Sequence, residues 1–153
     1  MAEQTASKDR QVSVSRVIAA RPEAIFGVLR DPAMHSAMDG SGTVRGNRKT
    51  DAAKLELGSR FRMDMKIGIP YRITSKVVEY DENRLIAWAH LGRHRWRYRL
   101  EPVEGGTEVT ETFDWSTSIS PRYIELMRYP EKHPESMERT LERLDEIVTS
   151  GSA

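Results

Sequence analysis

The sequence contains no cysteine, which excludes a disulfide framework, thiol catalysis and the usual structural zinc ligands. It also contains no apolar run of membrane-spanning length, and its first ten residues are polar, without the apolar core of a secretory signal. Basic and acidic residues nearly cancel, 24 against 23, so the whole chain carries no electrostatic signature of a nucleic-acid partner. We therefore expect a cytoplasmic protein that does not bind nucleic acid.

Several motifs are missing as well. There is no glycine-rich nucleotide loop, no constellation of metal ligands and no nucleophile elbow, which argues against phosphoryl transfer, metallohydrolysis and serine hydrolysis. We accordingly predict no metal and no cofactor. The length of 153 residues is typical of one domain, which we place at 11–149 between disordered tails at 1–10 and 150–153.

The pattern that is present is an alternation of charged and bulky apolar residues between Phe61 and Trp115. Period-two alternation of this kind indicates strands with one face buried and one in water. The predicted inward set comprises Phe61, Met63, Met65, Ile67, His94, Trp96, Tyr98, Leu100, Val109, Phe113 and Trp115, together with one carboxylate, Glu111. These side chains are larger than is needed to cover one face of a flat sheet. We therefore predict a curved antiparallel sheet that closes on a hydrophobic cavity.

The remaining patterns place the other elements. We predict strands at about 11–19, 43–48, 59–67, 71–80, 84–91, 93–102 and 107–117, and short helices that begin at Pro22, Ala33 and Pro121. Turn residues lie between the strands, at 68–70, 81–83, 92 and 104–106. Pro130 and Pro134 are expected to interrupt the chain before a final amphipathic helix of about four turns, whose apolar stripe is Met137, Leu141, Leu144 and Val148.

Together these elements predict an α+β domain in which a seven-stranded sheet is crossed by a long C-terminal helix. The element order, with Arg30-Asp-Pro32 after the first helix, the stretch 35–44, Gly105-Gly-Thr107 and Phe113-Asp-Trp-Ser116, resembles the START-like superfamily, also called SRPBCC or Bet v 1-like. Within it, the chain is most similar to the bacterial polyketide cyclase/dehydrase and lipid-transport group. The resemblance implies a helix-grip fold that encloses a hydrophobic cavity, with no catalytic motif common to all members.

Glu111 is the first candidate for a functional residue, because it lies on the same face as Val109 and Phe113. Burial there would raise its pKa and suit it to acid or base catalysis. The alternative is that it lies at the cavity mouth or beside an inward histidine or arginine, without a catalytic role. The candidate ligand-binding set is Met63, Met65, Tyr71, Trp88, Trp96, Tyr98, Glu111, Phe113, Trp115, Met137 and Leu141, for which ordinary core packing is the alternative.

His35 and Asp39 form the second candidate, because residues four apart on a short helix lie one above the other. They could form a catalytic His–Asp pair at the cavity rim, although a helix end, with Asp39 opening the turn at Gly40 and His35 stabilising the helix terminus, is the interpretation we favour. Two ligands are too few for catalytic zinc, which needs three. His90 and His94 flank a turn and are predicted near the sheet end, in solvent.

The arginines 93, 95, 97 and 99 lie on the face opposite to Trp96 and Tyr98, so these aromatic and basic residues cannot cooperate on one strand of RNA. We predict a solvated face paired with acidic neighbours, and at most transient contact with an anionic membrane surface. The oligomeric state, monomer or homodimer, stays open.

Two functions are consistent with these features. The first is binding or transport of a small hydrophobic ligand, such as a lipid, a polyketide or another aromatic molecule, in the internal cavity. The second is a cofactor-independent cyclase or dehydratase, in which Glu111 and one of His35, His90 or Tyr98 would move protons. We favour binding over catalysis.

Overall fold

The computed structural model describes residues 10–31, 34–38, 44–47, 55–67, 69–89 and 92–150. Apart from positions 10 and 150, the two predicted tails lie outside these described residues.

Seven strands form one antiparallel sheet in the order β1-β7-β6-β5-β4-β3-β2. The strands are β1 (Gln11–Ile18), β2 (Val44–Asn47), β3 (Arg60–Ile67), β4 (Ile69–Asp81), β5 (Leu85–Ala89), β6 (Arg95–Val103) and β7 (Gly106–Asp114), and the helices are α1 (Pro22–Leu29), α2 (His35–Met38), α3 (Pro121–Leu126) and α4 (Tyr129–Thr149). This arrangement confirms the predicted α+β class and the helix-grip fold.

Strands β2 to β7 form a meander of consecutive antiparallel neighbours, whereas β1 pairs with β7, the last strand in sequence. The hairpin between β6 and β7 turns through Gly105 and Gly106, which have φ of +89° and +149°. A Cβ atom on Gly106 would lie 2.0 Å from the backbone carbonyl oxygen of Ile18 in β1. The turn therefore requires glycine at position 106 for space as well as for conformation.

Strand boundaries differ from the sequence-based prediction by up to three residues, and two of the differences have a clear physical reason. The strand β4 begins at Ile69 rather than Tyr71 and includes Pro70 near its start, where a missing N–H is tolerated. The strand β7 ends at Asp114, three residues earlier than predicted. There Asp114 Oδ1 accepts hydrogen bonds from the backbone N–H and the hydroxyl of Ser116, at 3.0 and 2.6 Å, and these bonds stabilise a turn instead of a further strand residue.

The helix α4 is longer than the sequence suggested. It begins at Tyr129 and continues without a break past Pro134, so the predicted interruption at Pro134 is wrong. Pro130 lies in the first turn, where its missing N–H costs nothing, and Pro134 removes only the bond to the carbonyl one turn earlier. Both prolines are buried, which offsets that loss by apolar packing.

The face of α4 that bears Met137, Leu141 and Leu144 is fully buried. The helix contacts β1 and β7 of the sheet and also α1, α2 and α3. An ion pair of 2.8 Å between Arg16 Nε on β1 and Asp145 Oδ2 on α4 lies at the edge of this contact. We call the sheet surface that faces α4 the inner face. Within the described residues, no helix is both long and apolar enough to span a membrane.

Candidate functional site

The inner face is built from two rows of side chains that run across the strands. Residues paired across antiparallel strands point to the same side of a sheet. The first row follows the pairs of Trp88 with Trp96 and of Trp96 with Phe113, and the second follows the pairs of Ile86 with Tyr98 and of Tyr98 with Glu111. Both rows end on β1, at Val12 and Val14. Aromatic rings therefore occupy the middle of the inner face, and Glu111 lies beside them.

A first aromatic group surrounds His35, and we call His35, Phe61, Trp88 and Tyr98 the His35 cluster. The imidazole of His35 stacks on the Trp88 ring at a centroid distance of 4.7 Å and an interplanar angle of 27°. The ring of Phe61 is steeply inclined to both of these rings, with centroid distances of 5.2 and 5.6 Å. The ring of Tyr98 lies 5.4 Å from that of Trp88. The cluster joins α2 to β3, β5 and β6.

His35 is only 4% exposed, so it lies in the interior rather than at a rim. Its Nε2 is 2.9 Å from the carbonyl oxygen of Leu29, the last residue of α1. Because a carbonyl can only accept, Nε2 must carry the proton and donate it. His35 thus stabilises the end of α1, whereas the favoured interpretation placed it at the end of its own helix. Burial lowers the pKa of His35, and the Leu29 bond and the charge of Asp31 oppose this shift only in part.

Glu111 is 3% exposed, in the second row between Tyr98 on β6 and Val14 on β1. The interior location that the strand alternation predicted is therefore correct. Next to it on the same face, Val109 and Phe113 are fully buried. The structure thus places a carboxyl group within an apolar layer, which is the environment that both a catalytic role and a ligand-orienting role require.

A second aromatic group lies where β6 and β7 meet the start of α4, and we call His94, Trp96, Phe113, Tyr129 and His133 the His133 cluster. The ring of His133 stacks on Tyr129 at 5.4 Å and 4°, and it meets Phe113 edge-on at 4.7 Å and Trp96 at 5.1 Å. The ring of His94 also contacts Phe113, at 5.5 Å between ring centroids. Burial, His94 and Lys132 lower the pKa of His133 to about 4, and burial lowers that of His94.

This second group corrects the sequence analysis in two ways. Alternation placed His94 on the inner face and its neighbouring turn placed it near solvent; it is half-buried against Phe113. His133 was not predicted at all, because the expected break at Pro134 left it outside the final helix. In α4 the positions 133, 137 and 141 follow one another by one turn, so His133 extends the stripe of Met137 and Leu141. That spacing was the signal in the sequence.

The outer face of the sheet carries an ion-pair network. Glu79 on β4 accepts hydrogen bonds from Arg95 and Arg97, at 2.7 Å each, and Arg97 also donates to Asp114 at 3.1 Å. These bonds, those of Arg97 first, lower the pKa of Glu79 to about 2 against the opposing effect of burial. The predicted pairing of arginines with acidic neighbours is confirmed, but Arg97 is only 15% exposed and not in free solvent.

The other candidate residues are distributed as follows. Trp115 is buried, stacks on Phe113 at 5.7 Å and donates its Nε1–H to Glu125 at 2.9 Å. Met63 and Met65 belong to β3 and Tyr71 to β4, but their side chains are outside the described part. Asp39 and His90 are also outside it, so the predicted His35–Asp39 pair stays a prediction. Among the described residues, no group of three His, Asp or Glu side chains could hold a metal ion.

Comparison with known proteins gives the family. The family model for polyketide cyclase / dehydrase and lipid transport matches residues 9–147. The chain belongs to this family. An uncharacterised protein of Mycobacterium tuberculosis is 39% identical over an alignment of 149 positions that covers 94% of this chain, and the chain spans 66% of the length of that relative.

Solved structures support the fold alone. A crystal structure of a Rhodobacter sphaeroides protein superposes with a TM-score of 0.75 at 19% identity, and the match covers 99% of each chain. A Nitrosomonas europaea protein superposes with a TM-score of 0.73 at 14% identity and covers 96% of this chain and 99% of its own. Family membership and these superpositions agree with the START-like resemblance seen in the sequence.

Proposed function

We propose that the protein binds a small hydrophobic ligand, a lipid, a polyketide or another aromatic molecule, in a cavity between the inner face of the sheet and α4. The observation that carries the proposal is the placement of polar side chains, among them His35, Tyr98 and Glu111, in a layer that is mostly aromatic and aliphatic. Ligand sites are typically apolar with a few polar groups that fix orientation. Membership of a family described as polyketide cyclase / dehydrase and lipid transport supports the same class of ligand.

Native mass spectrometry of the protein purified from its own cells tests this proposal. We expect a co-purified small molecule whose mass names its chemical class. A second measurement is displacement of an apolar fluorophore by long-chain and polycyclic compounds. A protein that carries no molecule and binds no fluorophore would contradict the proposal.

The second candidate function is a cofactor-independent cyclase or dehydratase of polyketides. The adjacency of Tyr98 and Glu111 in one cross-strand pair favours it, because two groups that exchange protons lie side by side on the inner face. In this case Glu111→Gln would keep the fold and the ligand affinity and abolish turnover. In the binding protein the same substitution would weaken ligand binding or stability. The matched control is Glu108→Gln, an exposed carboxylate on the same strand, which should change neither.

A further inference from the structure

The buried Nδ1 atom of His35 is the feature from which a further inference can be drawn. This atom is inaccessible to solvent, and no side chain or backbone group among the described residues forms a hydrogen bond with it. Because the proton resides on Nε2, Nδ1 carries a lone pair and can only accept. A buried acceptor that lacks a donor is destabilising, so such atoms generally mark a place where a ligand or a water donates.

The position of this lone pair is fixed from three directions. Nε2 is held by the hydrogen bond to Leu29, Trp88 stacks on one ring face, and the ring of Phe61 contacts the imidazole at a steep angle. Rotation about the ring axis would break the Leu29 bond and place a nitrogen against apolar rings. The acceptor is therefore preorganised, which reduces the entropic cost of binding a donor.

The ring also stays neutral near pH 7, because burial lowers its pKa from the ordinary 6.5. The charged or titratable groups that the structure relates to it are Asp31, after α1, and Tyr98, whose ring contacts that of Trp88. A neutral imidazole keeps its lone pair, whereas an imidazolium would offer only donors.

We propose that Nδ1 of His35 accepts a hydrogen bond from a hydroxyl group of the ligand, and that the ligand is a hydroxylated aromatic molecule rather than a plain acyl chain. The aromatic part of this inference rests on the rings of Phe61, Trp88 and Tyr98 around His35, which pack on one another and would favour a ligand that packs in the same way. The inference rests on the proposed function, since it assigns the ligand class of the same site.

A pair of probes that differ only in the donor tests the inference. 2-Naphthol carries a phenolic hydroxyl, and 2-methoxynaphthalene has the same rings without a donor. Calorimetric titration of the wild-type protein at pH 7.5 should give 2-naphthol the higher affinity, by roughly tenfold, the value of about one well-formed hydrogen bond.

Two substitutions at the same position separate the two ring nitrogens. In His35→Gln the amide N–H can still reach the Leu29 carbonyl, but the acceptor at the Nδ1 position is gone. The preference for 2-naphthol should therefore disappear. In His35→Asn an oxygen can occupy the Nδ1 position while the Leu29 bond is lost, so the preference should remain. The reverse result would overturn the proposal.

A measurement on the wild-type protein tests the inference even if the variants do not fold. The ¹⁵N signal of His35 Nδ1 should be that of an unprotonated ring nitrogen, and it should shift with 2-naphthol but not with 2-methoxynaphthalene. A protonated Nδ1, or equal affinities for the two probes, would refute the hydroxyl contact and leave the hydrophobic binding function intact. If neither probe binds while an apolar fluorophore and long-chain compounds do, the inference fails and the proposed function stands; if no apolar compound binds, both fail.

Discussion

Mild acid should destabilise the protein through His133. This side chain is half-buried against Tyr129, Phe113 and Trp96, where a charged imidazole is less well hydrated than in water. Burial, with His94 and Lys132 nearby, lowers its pKa from 6.5 to about 4. The unfolded chain therefore takes up a proton at this position before the folded protein does.

The sign and the size of the effect follow from that difference. A histidine whose folded pKa is lowered contributes its full stability above the unfolded pKa of 6.5, and this stability is lost as the pH falls from 6.5 towards about 4. Each pH unit within this window costs about 1.4 kcal/mol of the free energy of unfolding. At pH 5, which is 1.5 units below 6.5, His133 alone should cost about 2 kcal/mol.

Urea denaturation of the wild-type protein and of His133→Phe at pH 7.5 and pH 5 measures this cost. Phenylalanine keeps the ring contacts and cannot be protonated, so the loss of stability between the two pH values should be smaller in the variant by about 2 kcal/mol. His35, whose pKa is also lowered, is present in both proteins and cancels in the comparison. Equal losses in the two proteins would refute the argument, as would an NMR titration in which His133 protonates near 6.5.

Three further predictions concern stability, and each is measured by urea denaturation. Leu141→Ala removes a fully buried side chain of α4 and should cost about 2–5 kcal/mol, whereas a change near zero would mean that the stripe does not pack on the sheet. Glu79→Gln should cost about 2 kcal/mol at pH 7, because it weakens the bonds from Arg97. Since the pKa of Glu79 is lowered to about 2, its stabilisation is present above pH 4.5 and is lost as the pH falls through about 2. The difference in stability between wild type and Glu79→Gln should therefore shrink over this range. A difference that does not depend on pH would contradict the ion-pair account. Gly106→Ala should cost about 3 kcal/mol or more, because its Cβ meets the backbone of β1, whereas Gly105→Ala, with open space and only an unfavourable φ, should cost about 1 kcal/mol; equal costs would show that β1 can move aside.

The sequence was sufficient to predict which side chains of the sheet point inwards. Alternation has a period of two whatever the register, so Trp88, Tyr98, Glu111 and Phe113 could be assigned to one face before their partners were known. The family resemblance and the element order were likewise enough for the helix-grip fold.

Contacts between residues that are distant in sequence could not be predicted from alternation or from element order. The network around Arg97 depends on a register shift between Val77 and Glu79 in β4, a bulge that alternation does not reveal. The bond from His35 to Leu29 depends on how α2 lies against the end of α1. Propensity was misleading at Pro134, where burial against the core offsets a missing hydrogen bond, and that error also concealed His133.

The pairing of β1 with β7 has a consequence for how the chain is assembled. Gln11 and Asp114, which face each other across these strands, are 103 positions apart in sequence, whereas the strands from β2 to β7 each pair with their neighbours. During synthesis β1 has no partner strand until β7 has left the ribosome. Contacts of such long range slow folding, because the intervening chain must lose the entropy of loop closure before they form. The meander can form hairpin by hairpin in the meantime, so β1 and α4, which pack on each other, are expected to be the last parts to order.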